Sequence, residues 1–224
     1  MREWLLRTIV LREPESPAEE WASGLTHALG ALLGLIGTLA LTAHLAGSGK
    51  PALITASIVY GGSMIVLYSA SAAYHLVEDP LWKRLLRVVD HVSIYFLIAG
   101  TYTPITLGLG GRLGWTIFAA VWSMAAIGIV FTFVFWGRLR WAHVLLYLAT
   151  GWVIVIAWKP VAAVVTGELF WWALGGGITY SVGAVVYATR RFRFYHAIWH
   201  LFVLGGSICF FAGIYRNVPL MSGQ

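Results

Sequence analysis

Residues 113–135 read LGWTIFAAVWSMAAIGIVFTFVF, a predominantly apolar stretch without a charged side chain. A helix needs about 20 such residues to cross the ~30 Å hydrocarbon core of a bilayer. In lipid, every backbone N–H and C=O group has to be paired internally, which a helix does along its whole length. This stretch therefore predicts a transmembrane helix.

The composition of the whole chain extends this prediction. Of its 224 residues, 59% are hydrophobic and only 11% are charged, whereas a soluble domain carries about 25% charged residues. Seven apolar runs predict spans at roughly 22–46, 52–76, 89–109, 113–135, 141–158, 169–189 and 194–215. The connections between them are short and hold proline, glycine and charged residues, so no second domain is expected. We predict an all-α, integral membrane bundle of seven transmembrane helices.

The distribution of lysine and arginine predicts the orientation of the bundle. If alternate loops lie on opposite sides, eleven of the 15 basic residues share the side of the N-terminus and four lie on the other. The eleven are Arg2, Arg7, Arg12, Lys83, Arg84, Arg87, Arg138, Arg140, Arg190, Arg191 and Arg193, and the four are Lys50, Arg112, Lys159 and Arg216. The positive-inside rule then predicts a cytoplasmic N-terminus and an external C-terminus in the cell (inner) membrane.

This orientation divides the chain into three parts. Residues 1–20 form a cytoplasmic segment, residues 21–217 the seven-helix domain, and residues 218–224 an external tail. The first dozen residues place Trp4, Leu5 and Ile9 between arginines, as in an interfacial amphipathic helix; an ordered tail is the alternative. The net charge of +6 is explained by topology and by anionic lipid headgroups, and no motif indicates nucleic-acid binding.

Ionisable side chains inside apolar spans are costly and mark candidate sites. His75 ends the second predicted span, Asp90 begins the third, and His196 and His200 begin the seventh, so all four are expected at the cytoplasmic end. His196 and His200 are four residues apart and share a helical face, as do Ser71 and His75. Three imidazoles that leave a fourth position open are typical of a Zn²⁺ site. A water in that position becomes acidic, with Asp90 placed to accept its proton and Ser71 to hydrogen-bond it.

Simpler interpretations stay open for several of these residues. A single histidine on a transmembrane helix is more often a hydrogen-bonded packing residue, which is the expectation for His27, His91 and His143. Asp90 has an alternative partner in Arg87. Glu20 complements the dipole of the first helix or, with His27, supports the metal site from the entry of the first span. His44 lies at the opposite end of that span.

Four motifs give the chain a specific resemblance. They are EEWASGLTHALG at 19–30, SASAAYH at 69–75, VVDHVSIYFLIAGTYTP at 88–104 and YHAIWH at 195–200. The chain resembles the hemolysin III family, the bacterial branch of the progestin and adipoQ receptor family, over nearly all seven spans. The resemblance implies a cytoplasmic zinc site with His75, His196 and His200 as ligands and with Asp90 and Ser71 acting through the zinc-bound water. The family commonly has Asn near the position of Ser23, so an amide contact there is not expected.

Three functions follow from these observations. The family's metal-binding pattern resembles that of alkaline ceramidases, which implies a zinc-dependent hydrolase of a lipid amide or ester, with membrane lipids as partners. A non-catalytic, zinc-stabilised sensor or regulator of membrane homeostasis is the second function, and a membrane-perturbing hemolysin or pore is the third. The spans lack the rows of charged residues that line many pores, and the sequence leaves the oligomeric state open.

Overall fold

The computed structural model describes residues 2–11, 15–138, 140–163, 165 and 167–221, without the side chains of residues 140 and 141. Within these ranges the chain forms helices and short connections and no strand, which confirms the all-α prediction. The helices are α1 (Arg2–Thr8), α2 (Pro17–Ala46), α3 (Pro51–Leu76), α4 (Pro80–Leu109), α5 (Gly111–Val134), α6 (Arg140–Gly151), α7 (Val153–Ile156), α8 (Trp158–Ala162), α9 (Gly167–Thr189) and α10 (Tyr195–Asn217). A 3-10 turn follows at Val218–Leu220. Arg12 and residues 222–224 of the predicted tail lie outside the described residues.

Six of the described helices are long and apolar enough to cross a membrane: α2, α3, α4, α5, α9 and α10. The chain is therefore a multi-pass membrane protein. The prediction of one continuous helix over 141–158 is wrong, because this segment is divided into α6, α7 and α8. Trp152 and Ala157 separate these pieces with ψ angles of 9° and 18°, which do not continue an α-helix.

Tyr102 of α4 compensates for the first of these breaks. Its hydroxyl donates to the carbonyl of Gly151 at 2.6 Å and accepts from the N–H of Ile154 at 3.2 Å. An interrupted helix leaves backbone groups that lipid cannot satisfy. One side chain thus pairs a backbone group on each side of the break between α6 and α7, which explains how this segment is tolerated among apolar helices.

Local sequence determines where the spanning helices begin. Ser16 and Glu19 form a capping box at the start of α2, in which each side chain pairs with the other residue's backbone N–H. Asp79 caps α4 by accepting from the N–H groups of Leu81 and Trp82, both at 2.9 Å. Both helices have proline in their first turn, where the missing N–H costs nothing.

The bundle is built around α4, the most enclosed of the six long helices. Helix α3 packs between α2 and α4, α5 packs on α4, and α10 packs on both α9 and α2. We call the end at which α2, α4 and α10 begin and α3 ends the histidine end. The opposite end holds the α2–α3 connection and the C-terminal turn, which Lys50 joins by donating to the carbonyls of Pro219 and Met221 at 3.1 and 2.7 Å.

The short helix α1 is docked on the histidine end. Leu5 and Ile9 are buried in a small apolar cluster with Val88 of α4. Arg84 donates from Nε to the carbonyl of Ile9 at 3.0 Å, and Arg87 donates to the carbonyl of Val10. The arginines of α4 thus hold the backbone that follows α1, so the first helix is part of the packed structure.

Candidate metal centre

Three histidines form a compact group at the histidine end. His75 lies in the last turn of α3, and His196 and His200 lie in the first two turns of α10. One ring nitrogen of each lies within 4.8 Å of the others, and all three side chains are buried. The structure therefore brings together the three residues that the sequence predicts as metal ligands.

Each of these rings is held by an oxygen acceptor. His75 Nδ1 lies 2.8 Å from Glu20 Oε2, His196 Nδ1 lies 3.0 Å from Glu15 Oε1, and His200 Nδ1 lies 3.1 Å from the carbonyl oxygen of Ser23. Because carboxylate and carbonyl oxygens only accept, Nδ1 is the donor in each pair. The lone pair of a neutral ring is then on Nε2. Metal-binding histidines have this arrangement, with the second nitrogen donating to a carboxylate or backbone carbonyl.

The donor set therefore fits a metal ion. Among the described residues, His75 Nε2 is buried without a hydrogen-bond partner, although buried polar atoms are normally paired. Three neutral imidazoles suit divalent metals such as zinc. The group His75, His196 and His200 can hold a metal ion.

A single segment supplies all three acceptors. Glu15, Glu20 and Ser23 lie within residues 15–23, the segment that leads into α2 and forms its first turns. We call residues 15–23 the acceptor segment. Glu19, also in this segment, accepts from the backbone N–H of Phe194 at 2.9 Å, which fixes the residue that caps α10 in a left-handed conformation with φ of 59°. The acceptor segment thus positions both the start of α10 and the rings that α10 carries.

Only part of this arrangement is predictable from the sequence. Glu20 is predicted as a supporting residue, whereas Glu15 and Glu19 are not. The sequence signal for these residues is the run ESPAEE at 15–20, which places three carboxylates directly before an apolar span. The carbonyl of Ser23 could not be found in this way, since every residue has a backbone carbonyl.

Glu20 links the histidine group to a cation. While its Oε2 atom accepts from His75, its Oε1 atom lies 3.2 Å from Lys83 Nζ. Lys83 also lies over the ring of Tyr74, 5.5 Å from its centroid. The lysine compensates the charge of the carboxylate that orients His75.

The remaining predicted site residues surround the group. Ser71 is fully buried, and its hydroxyl has no hydrogen-bond partner among the described residues. Asp90 lies 3.4 Å from His91 Nδ1 through its Oδ2 atom and interacts electrostatically with His75 and His27. His27 stacks on His200 with ring centroids 3.6 Å apart. Contrary to the expectation of a hydrogen-bonded packing histidine, neither ring nitrogen of His27 has a hydrogen-bond partner in the described part of the chain.

The other histidines lie apart from the candidate ligands. His91 packs on Trp136 and His143 on Phe131, with centroids 5.2 and 5.0 Å apart. His44 stacks on Tyr215 at the other end of the bundle. None of the three belongs to the group that can hold a metal.

The fold and the site together define a class: a multi-pass helical membrane protein with a buried three-histidine centre at one end. The family described as Haemolysin-III related matches residues 16–211, and the chain belongs to this family. It is 43% identical to hemolysin-3 of Bacillus cereus over 91% of this chain and 94% of the relative. It is 42% identical to the hemolysin-3 homolog of Bacillus subtilis (strain 168) over 86% and 91%, and 30% identical to the human monocyte to macrophage differentiation factor over 70% and 68%.

Proposed function

We propose that this protein binds zinc through His75, His196 and His200 and hydrolyses an amide or ester bond of a membrane lipid. The observation that carries the proposal is the set of three Nδ1 hydrogen bonds to the acceptor segment. They orient the three rings, and one ring nitrogen of each lies within 4.8 Å of the others, close enough for one ion to bind all three. A zinc ion with three imidazole ligands keeps a position for water, lowers the pKa of that water and polarises a carbonyl.

The surrounding residues have the chemistry for the remaining steps. Asp90 is the base that accepts the proton of the attacking water, because this carboxylate interacts electrostatically with His75 and His27 and its close contact is with His91, not with a candidate ligand. The Ser71 hydroxyl, buried and without a partner among the described residues, donates to the oxygen on which negative charge develops. We propose a membrane lipid as the substrate because the group lies at one end of a bundle of helices that are long and apolar enough to span a membrane.

A second function is favoured by the origin of the ligands. His75 lies on α3 and the other two on α10, so a bound zinc would join two helices that are far apart in the chain. In that case the metal stabilises the bundle of a membrane sensor or regulator, and no bond is cleaved.

Metal analysis of the purified protein tests zinc binding. The wild type should retain about one zinc per chain and His196→Ala should lose it, since removing one of three ligands leaves too few donors. His44→Ala is the matched control, because it removes a stacked histidine from the opposite end of the bundle and should leave the zinc content unchanged. Equal zinc content in wild type and His196→Ala would refute the site.

Turnover of defined lipids separates the two functions. Zinc-loaded wild type is incubated with ceramides and phospholipids, and released fatty acid is measured. Asp90→Ala should retain zinc and lose at least ~100-fold in rate, the lower range for removal of a general base. If the wild type holds zinc and releases no fatty acid from any of these lipids, the structural function replaces the hydrolase.

A further inference from the structure

His27 is a buried histidine that is not one of the three candidate metal ligands. It lies in α2, the residue is 2% exposed, and both its ring nitrogens are buried without a hydrogen-bond partner in the part of the chain that the structure describes. A neutral imidazole always carries one donor and one acceptor. Leaving such groups unpaired inside a protein is unfavourable, because each loses its hydrogen bonds to water. A ring buried in this way indicates a polar group that binds there.

The surroundings of His27 show which kind of group this is. One face of the ring lies parallel to His200, with the ring planes 10° apart. The ring also meets Tyr68 edge to face at 5.0 Å and interacts electrostatically with Asp90, His75 and His196. His27 is therefore next to a candidate metal ligand and close enough to the proposed base to interact with it.

Two further buried hydroxyls, one on α2 and one on α3, have no hydrogen-bond partner among the described residues. They are Ser23 Oγ, one turn before His27 on α2, and Ser71 Oγ, one turn before His75 on α3. Together with His27 they are hydroxyl and ring nitrogen atoms with which no described protein group pairs. A ligand that pairs with them must offer both acceptors and donors, as an amide or a carboxyl group does.

We infer that His27 hydrogen-bonds the acyl group of the substrate, the carbonyl or carboxylate that lies beside the metal. The inference rests on the proposed function for the identity of the substrate. It adds a substrate-binding residue on α2, the helix that also supplies the acceptors for His75 and His200. The stack on His200 places the acyl group next to a candidate metal ligand.

If His27 only packs against its neighbours, replacing its nitrogens should not affect ligand binding. The stack on His200 and the contact with Tyr68 use the flat ring, which phenylalanine also supplies. His27→Phe therefore keeps the packing and removes both nitrogens, whereas His27→Gln returns a donor and an acceptor. His44→Phe is the matched control, since it is the same substitution in the same helix at another stacked histidine.

The experiment measures butyrate binding to the zinc-loaded protein in detergent by calorimetry, alongside zinc content. Butyrate stands for the acyl product and does not require turnover. His27→Phe should keep its zinc and bind butyrate about tenfold more weakly, the loss of one hydrogen bond of ordinary strength. His27→Gln should recover part of this affinity, and His44→Phe should match the wild type. His27→Leu replaces the phenylalanine variant if the latter does not fold.

Each other result overturns the inference. Unchanged butyrate affinity in a zinc-loaded His27→Phe shows that the nitrogens bind no acyl group. Loss of zinc in that variant shows that His27 supports the metal instead, and a wild type that does not bind butyrate shows that the site does not take acyl groups. Because lipid turnover is measured separately, weaker butyrate binding in His27→Phe with no turnover in the wild type would keep His27 as a binding residue and refute the hydrolase.

Discussion

Glu20 has two partners, and this makes it the most informative single residue around the metal group. Its carboxylate orients His75 through one oxygen and lies near Lys83 through the other. Glu20→Gln keeps the shape but removes the charge that increases the basicity of His75. Substitutions of this kind typically lower metal affinity about 10–100-fold. We expect zinc affinity to fall within this range, measured by competition with a chelator.

Glu168→Gln is the control for this effect. Glu168 is also paired with a cation, Arg216, at 2.7 Å, but at the opposite end of the bundle. The control variant should bind zinc like the wild type. If the two variants lose affinity equally, or if neither loses any, then Glu20 does not tune the site.

The ligands themselves could be predicted from sequence, whereas their supports could not. His196 and His200 share a helical face, and topology places His75 at the same depth, so local spacing and span order were enough. Glu15 meets His196 across 181 positions, and no sequence period links such residues. The partner of His200 is a backbone carbonyl, which has no sequence signature.

At the scale of helices, the contact between α2 and α3 depends on a glycine. A Cβ atom at Gly61 would overlap the side chain of Thr38 on α2, whereas one at Gly62 would meet nothing within 4 Å. Membrane helices approach closely where small residues lie at the interface. Gly61→Ala should therefore destabilise the protein by about 1–3 kcal/mol through overpacking, seen as a Tm several degrees lower in detergent.

Gly62→Ala is the matched neighbour for this prediction. It makes the same substitution one residue further along the same helix, where open space surrounds the new methyl group. Its Tm should equal or exceed that of the wild type, because alanine is the better helix former. Equal Tm values for both variants would show that α2 and α3 do not pack through Gly61.

The helices also show what an apolar run can predict and what it cannot. Continuous apolar runs predicted α2, α3, α5, α9 and α10 because length and hydropathy alone decide a membrane span. The run at 141–158 has the same composition, and nothing local to it shows that the chain breaks at Trp152. The backbone groups beside this break are paired by the hydroxyl of Tyr102, a residue that is distant in the sequence.

At the scale of the whole molecule, the positions of the two chain ends bear on the number of crossings. Helix α1 packs on the start of α4, at the histidine end. The C-terminal turn lies at the other end, because Lys50 of the α2–α3 connection binds the carbonyls of Pro219 and Met221. Ends on opposite sides require an odd number of crossings. The six long helices supply an even number, so we propose that the interrupted segment α6–α8 forms the seventh crossing.

Single cysteines test this arrangement together with the orientation from the positive-inside rule. In a Cys209→Ser background, Glu3→Cys and Leu220→Cys place thiols at side chains that are exposed at the two ends. With seven crossings and a cytoplasmic N-terminus, a membrane-impermeant maleimide should label only Leu220→Cys in intact cells, and Glu3→Cys only after lysis. Labelling of both in intact cells, or of neither, would mean that α6–α8 does not cross. Labelling of Glu3→Cys alone would keep seven crossings and place the histidine end outside, which would remove the metal group from the cytoplasmic side.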